Sequence, residues 1–227
     1  MSVVVVLPAA GSGKRIASAI PKQFMKFQGK ELIVYSLEAF QKNPMITSIA
    51  VATAKTYFPL LKKLQQRYGI TKLKYIVEGG KERQDSVYNA LASLHLQSAD
   101  LVAVHDAARP LLPKSVLTNA IKIAKVKGSA VVCLTGRDTL LRSAEACFEY
   151  IDRSNIYYVQ TPQIFRYGDL LPTMKKAQSE NLSFSDESSL MHHYGYPVEI
   201  VEGSLLNFKV TTKGDVEMMK VVLGKPQ

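Results

Sequence analysis

Two cations beside a glycine-rich turn are the first sign of chemistry in this sequence. The segment Pro8-Ala9-Ala10-Gly11-Ser12-Gly13-Lys14-Arg15 follows a strand-like run, Val3 to Leu7, and Pro21-Lys22-Gln23 comes soon after. Glycines let successive backbone N–H groups converge on an anion without a Cβ in the way, and open α/β sheets bind ligands beyond the carboxyl ends of their strands. Arg15 and Lys22 would add the positive charge that a polyphosphate demands. Two better-known phosphate loops are excluded. A Walker loop ends in Gly-Lys-Ser/Thr, whereas Gly13-Lys14 is followed by Arg15. A dinucleotide fingerprint wants a third small residue where Ile16 stands and a ribose-binding acid after Val51-Ala52-Thr53-Ala54, where there is none. For the glycines taken alone, a plain tight connection between strand and helix remains the alternative.

Other segments have the same character. Gly79-Gly80 leads through Arg83, Gln84 and Asp85 to Ser86 and Val87, past the end of another strand-like run, where amides and polar side chains could read the edge of a base. His105-Asp106-Ala107-Ala108-Arg109-Pro110 ends a further run with an acid and a base three residues apart. On a surface that pair would be a local salt bridge contributing about 0–1 kcal/mol. At the carboxyl edge of a parallel sheet, Asp106 could hold hydroxyls or a metal, and Arg109 a phosphate. His105 reads as a packed strand residue, and His95, His192 and His193 as surface or core histidines. The later segments Arg137-Asp138-Thr139, Asp152-Arg153, Gln160-Thr161-Pro162-Gln163, Ser185-Asp186-Glu187 and Asn207-Phe208-Lys209 carry no signal one by one. No Ser/His/Asp series, Cys/His pair or H-E-x-x-H occurs, so nothing in the sequence points to nucleophilic catalysis or zinc hydrolysis.

The elements that would position these residues alternate regularly. Strand-like runs at Val3–Leu7, Ile46–Thr53, Leu73–Val77, Leu101–His105 and Ala130–Leu134 are separated by amphipathic segments Leu32–Gln41, Tyr57–Tyr68, Gln84–Leu94 and Lys114–Lys125. Continuous apolar strands between such helices predict a three-layer α/β fold around a mostly parallel, twisted sheet. The rhythm breaks between Thr135 and Gln160, which reads as an inserted arm, about 136–160, able to pack on a second copy of the chain. A single domain spanning 1–227 is expected, with a loose tail from Gly224 to Gln227.

Composition bounds the rest. The 227 residues are 47% hydrophobic and 21% charged, as in an ordinary globular protein. Val3 to Ala10 lacks a basic leader and a cleavage site, and no apolar run is long enough to span a bilayer, so a cytoplasmic protein without a membrane partner is expected. The two cysteines, Cys133 and Cys147, have no ligand-like spacing and read as free thiols. The net charge of +10 suits acidic small molecules, a membrane face or nucleic acid, but no RNA-binding or zinc-finger signature accompanies it, so nucleic acid is not the expected partner.

Taken in order, the segments from Pro8 through Arg15, Pro21 to Gln23, Gly79 to Val87, His105 to Pro110, Arg137 to Thr139, Gln160 to Gln163 and Asn207 to Lys209 resemble the 2-C-methyl-D-erythritol 4-phosphate cytidylyltransferases of the non-mevalonate isoprenoid pathway. The resemblance runs across nearly the whole chain. It implies a nucleotide-diphospho-sugar-transferase-like fold, a homodimer with interlocked arms, CTP and Mg²⁺ as requirements, and pyrophosphate as a product. By position it makes Arg15, Lys22 and Lys209 catalytic and gives the nucleotide to Ala9, Ala10, Gly11, Gly13, Gly79, Arg83 and Ser86. Asp106, Arg109, Thr139, Lys209 and Ser185 would take the acceptor, with Arg153 and Thr161 reaching it from the other subunit's arm. The resemblance implies no direct protein ligand for the metal; Asp106 is the candidate should there be one. Ser185 departs from the threonine expected there but keeps the hydroxyl. The acceptor phosphate would attack the α-phosphorus of CTP in line. A ribitol 5-phosphate cytidylyltransferase shares much of this pattern; Ala107-Ala108 and the Pro-Ala-Ala opening favour methylerythritol phosphate. A non-catalytic nucleotide- or RNA-binding module is the reading from a different class, and the intact Arg15, Lys22, Asp106 and Lys209 speak against it.

Overall fold

The computed structural model describes residues 1–11, 20–144 and 147–224. In chain order its elements begin with β1 (Val3–Pro8), the short strands β2 (Lys26–Phe27) and β3 (Lys30–Glu31), α1 (Leu32–Gln41), β4 (Ser48–Thr53), α2 (Phe58–Arg67), β5 (Leu73–Glu78) and α3 (Arg83–Ala92). They continue with β6 (Leu101–Val104), α4 (Lys114–Lys127), β7 (Ser129–Thr135), β8 (Leu140–Ala144) and β9 (Cys147–Ile151). The last are β10 (Tyr157–Arg166), α5 (Tyr167–Ser179), α6 (Glu187–His193), β11 (Ile200–Glu202) and α7 (Lys213–Gly224).

β1 shows why the sheet is covered on both sides. Val3, Val5 and Leu7 enter one apolar cluster, and Val4 and Val6 enter another. Successive strand side chains point to opposite faces, so an unbroken β-branched run buries itself only between two layers. The first cluster is closed by α1, α2 and α4, through residues such as Phe40, Leu61 and Ile121. The second is closed by α3, α5 and α6, through Leu91, Leu170 and Leu190. Each such buried side chain contributes about 1.5–3 kcal/mol.

Among the described residues, seven strands form one sheet in the order β11-β7-β10-β6-β1-β4-β5. β10 runs antiparallel to both β6 and β7; the other pairings are parallel. The three-layer, mostly parallel architecture expected from the pattern is the one observed.

The arm needs one correction. Its hairpin is β8 and β9, but Tyr157 to Gln160 belong to β10, where Tyr157, Tyr158 and Val159 pair with Thr135, Leu134 and Cys133 of β7. Aromatic and β-branched residues complete a sheet ladder readily, so the arm ends earlier than the expected boundary of 160. A third, smaller cluster joins Phe27, Leu32, Ala108, Val210 and Met219, and fastens α7 and the segment before it to the rim of the sheet.

Candidate active site

The loops after β1, β5 and β6 leave the same edge of the sheet and face one cleft of about 550 Å³. The first is held from below. Gln23 donates its amide to the carbonyls of Ala9 (2.6 Å) and Gly11 (3.0 Å), and the Thr53 hydroxyl donates to Ala9 as well (3.0 Å). With these carbonyls engaged on the protein side, Ala9, Ala10 and Gly11 line the cleft. Lys22 lines it from the next turn. Arg15 and Gly13, expected here from the sequence, lie outside the described residues.

The second loop is pressed against the first. A Cβ on Gly79 would come within 2.4 Å of the Ala10 Cβ and 3.1 Å of the Ser86 Oγ. On Gly80 it would meet the Asp85 Cβ at 2.1 Å. Both glycines are there for this close approach. The Ser86 hydroxyl donates to the Glu82 carbonyl and accepts from the Gly80 N–H, each at 3.0 Å, so it braces the turn. Glu82 and Asp85 close a capping box at the start of α3. The N-terminal end of that helix, with its partial positive charge, thereby borders the cleft.

Asp106 is the electrostatic centre. It is 8% exposed and takes Arg83 Nε on Oδ1 at 3.0 Å, Lys209 Nζ on Oδ2 at 2.8 Å, and Arg109 Nε near Oδ2 at 3.7 Å. Burial opposes its charge, but Arg83, Lys209 and Arg109 outweigh it and hold the carboxyl well below the usual carboxylate range. Arg83 also donates two bonds to Glu187, NH1 to Oε1 at 2.7 Å and NH2 to Oε2 at 2.9 Å. Its guanidinium is therefore a strut between two buried carboxylates. Burial pulls its pKa down, and Glu187 and Asp106 more than restore it.

A smaller chamber of about 130 Å³ adjoins the cleft. Arg83, Asp106 and Lys209 line both and form the wall between them, while Arg109, Thr161 and Ser185 belong to the smaller one. Thr139 and Arg153 line neither; both are exposed on the arm, where Arg153 donates to the Arg137 carbonyl. Thr161 corrects the expectation that it arrives from another subunit's arm. It sits in β10 of the same chain, 3% exposed, with its Oγ1 accepting the Asp106 N–H at 3.1 Å. It lies mid-strand, at the irregularity between Val159 and Gln163 where the pairing of β10 with β7 shifts register.

Several residues that shape the site gave little signal in the sequence. Gln23 was visible only as the end of Pro-Lys-Gln. Glu187 sits in the first turn of α6, 104 positions from the arginine it holds. Asn207, 0% exposed, donates to the Gln160 side chain (3.1 Å) and the Thr161 carbonyl (2.7 Å), and its own carbonyl accepts from Arg109 NH1 at 2.8 Å. It thereby sets where Lys209 emerges. The Cys133 thiol is buried, and burial pushes its pKa up to about 11, which favours the protonated form at neutral pH.

A divalent cation finds no carboxylate set among the described residues of this site. No cluster of three or more His, Cys, Asp or Glu side chains suited to a metal occurs among the described residues. Asp106, the candidate from sequence, has both oxygens turned to cations, and a metal ion would have to displace one of them.

A family profile for 2-C-methyl-D-erythritol 4-phosphate cytidylyltransferase matches residues 3–225. The protein of that name from Thermotoga neapolitana is 38% identical over 219 residues, covering 96% of each chain. The one from Halalkalibacterium halodurans is 34% identical over 228 residues, covering 100% of this chain and 99% of its own. A crystal structure of the Thermus thermophilus protein of the same name superposes with a TM-score of 0.81 at 30% identity, covering 99% of this chain and 100% of that one. The 4-diphosphocytidyl-2C-methyl-D-erythritol synthase of Anaerococcus prevotii, at 22% identity, shares the fold with a TM-score of 0.87 over 99% and 96% of the two chains.

Proposed function

The chain belongs to the 2-C-methyl-D-erythritol 4-phosphate cytidylyltransferase family, and on that premise we propose how its residues divide the work. The reaction moves the cytidylyl group of CTP onto 2-C-methyl-D-erythritol 4-phosphate, a step of isoprenoid precursor synthesis, and releases pyrophosphate. The observation that carries our division of labour is the wall of Arg83, Asp106 and Lys209 shared by a large and a small chamber. Two substrates must meet at one phosphorus, and two chambers with a common charged wall suit that need.

In this reading CTP fills the larger cleft. The base lies against the Gly79–Arg83 turn, read mainly by main-chain groups, since Ser86 and Arg83 are engaged in bracing. The triphosphate runs along Ala9 to Gly11, with Lys22 and, by resemblance, Arg15 cancelling its charge. The acceptor enters the smaller chamber. Asp106, ionised at neutral pH, accepts its hydroxyls, while Arg109 and Lys209 hold its phosphate. One phosphate oxygen forms the new bond to the α-phosphorus as the bond to the bridging oxygen of pyrophosphate breaks. A phosphate monoester is already anionic near neutral pH, so no general base is required. Alignment of the two phosphates can supply roughly 7–11 kcal/mol of the barrier. Mg²⁺ would arrive on the nucleotide, held by phosphate oxygens rather than by a protein carboxylate.

We further infer a homodimer in the cytosol. The arm's β8–β9 hairpin is amphipathic: Leu141, Phe148 and Tyr150 share one exposed face, and the Arg142–Glu149 ion pair lies on the other. A second copy would cover the apolar face and bring the arm residues Thr139 and Arg153 to the partner's smaller chamber. The cytosol is where CTP is made and where the unpaired Cys133 and Cys147 would stay reduced.

Two substitutions test the division. Lys22→Ala is expected to lower kcat by roughly 10²–10³, the scale of one lost transition-state stabiliser. Lys209→Ala is expected to raise the acceptor KM by about 10–100-fold with a smaller effect on the CTP KM. Near-normal turnover in Lys22→Ala, or equal losses for both substrates in Lys209→Ala, would contradict it.

A further inference from the structure

Behind the acceptor chamber lies a closed ring of hydrogen bonds that the mechanism does not use. His105, 0% exposed and lining neither chamber, faces Thr161 Oγ1 through Nδ1 and the Arg109 carbonyl through Nε2, each at 3.0 Å. The Thr161 carbonyl accepts from Asn207 Nδ2 at 2.7 Å, and the Asn207 carbonyl accepts from Arg109 NH1 at 2.8 Å, which closes the circuit. Ser36 Oγ adds a longer bond to the Arg109 carbonyl at 3.3 Å, and Phe40 meets the imidazole edge-on at 5.1 Å.

The direction of each bond is forced. A carbonyl only accepts, so Nε2 carries the proton and Nδ1 is left as the acceptor. The Asp106 N–H only donates, so Thr161 Oγ1 accepts it and sends its own proton to Nδ1. The hydroxyl is thus spent inward and has no proton left to offer the chamber. The ring ties the end of β6, from which Asp106 and Arg109 emerge, and the segment carrying Lys209 to the middle of β10.

We propose that His105 is a positioning residue for the acceptor, acting through Thr161 and the Arg109 carbonyl to keep Asp106, Arg109 and Lys209 at the spacing that the phosphorylated alcohol requires. This rests on the reading of the smaller chamber as the acceptor site. Among the described residues, the charged groups facing the ring are Asp106 and Arg109; α1 meets it through Ser36 and Phe40, and β10 through Thr161. Burial keeps the imidazole neutral, down to about 4, so the tautomer argument holds at working pH.

The test compares His105→Phe, His105→Asn and His105→Gln with Thr161→Val and Thr161→Ser. Phenylalanine removes both bonds, asparagine keeps an acceptor near the Nδ1 position, and glutamine keeps a donor near the Nε2 position. His105→Phe and Thr161→Val are expected to raise the acceptor KM by about 10–100-fold while the CTP KM stays within about twofold, the polar variants recovering part of the loss. An unchanged acceptor KM in these variants, or a parallel rise for CTP, overturns the proposal. Thr161→Val conserves shape, so it serves if the phenylalanine variant does not fold. Imidazole ¹⁵N chemical shifts of the unaltered chain test the ring without turnover. A neutral Nε2–H tautomer is expected at pH 7, and an Nδ1–H tautomer or a charged ring overturns the proposal. An unaltered chain inactive on this acceptor defeats the parent reading, and the tautomer result then separates the two failures.

Discussion

Asp106 and His105 are neighbours in the chain with opposite electrostatic fates. Asp106 stays charged because three cations outweigh its burial, whereas His105 stays neutral because burial outweighs everything else near it. Both depressions act on stability with the same sign. For His105, the folded value of about 4 lies below the ordinary 6.5, so the unfolded chain binds the proton more readily. Its contribution is complete above about pH 6.5 and is lost as pH falls toward 4, a total of about 3 kcal/mol. Asp106 adds a further loss only below its ordinary carboxylate range. Urea unfolding is therefore expected to give about 2 kcal/mol less stability at pH 5 than at pH 7, with the slope much reduced in His105→Asn. Equal stability at the two pH values would contradict a buried neutral imidazole.

The loops show the same economy one level up. Gly79 allows the β5–α3 turn to touch the β1 loop, and the Gly79→Ala methyl would sit 2.4 Å from the Ala10 Cβ. Neither partner is the end of a flexible side chain, so backbone must move. The variant is expected to lose about 1–3 kcal/mol of stability. It should also bind CTP more weakly than it binds the acceptor, because only the larger cleft is distorted. Isothermal titration with each substrate checks this, and an undiminished CTP affinity would count against the placement of the base.

Much of this arrangement was legible in the sequence because it is local. Apolar runs announce β1, β4, β5, β6 and β7, and the glycine turns after β1 and β5 mark the cleft. What was hidden is either non-local or locally ambiguous. Nothing near Arg83 announces Glu187, and the ring through His105, Thr161, Asn207 and Arg109 joins three distant segments. Pro172 lies inside α5 and masks it as a helix. The polar residues Arg142 and Glu149 alternate with Leu141, Phe148 and Tyr150 in the arm, a pattern that only pairing turns into strands. Tyr157 to Val159 are ambiguous in the same way, and pairing with β7 makes them part of the central sheet.

At the scale of the whole molecule, a dimer whose arms complete each other's sites makes a quantitative expectation. In a mixture of Lys22→Ala and Arg153→Ala chains, each mixed dimer would have one site carrying both lesions and one carrying neither. Random reassortment should therefore restore about a quarter of the unaltered activity from two feeble parents. Activity that stays at the parents' mean would place Arg153 outside its partner's site. If the proposed dimer forms through this face, replacing Phe148 and Tyr150 by glutamate should weaken it by placing charge on apolar surface that the second copy would cover, which sedimentation velocity would read directly.

The account turns on which pair of substrates meets at the wall of Arg83, Asp106 and Lys209. The most direct measurement is pyrophosphate release with Mg²⁺, CTP and 2-C-methyl-D-erythritol 4-phosphate, run beside ribitol 5-phosphate and beside ATP, GTP and UTP. Fast release confined to CTP with the methylerythritol acceptor is the expected result. Preference for ribitol 5-phosphate, or silence with every pair, would contradict it.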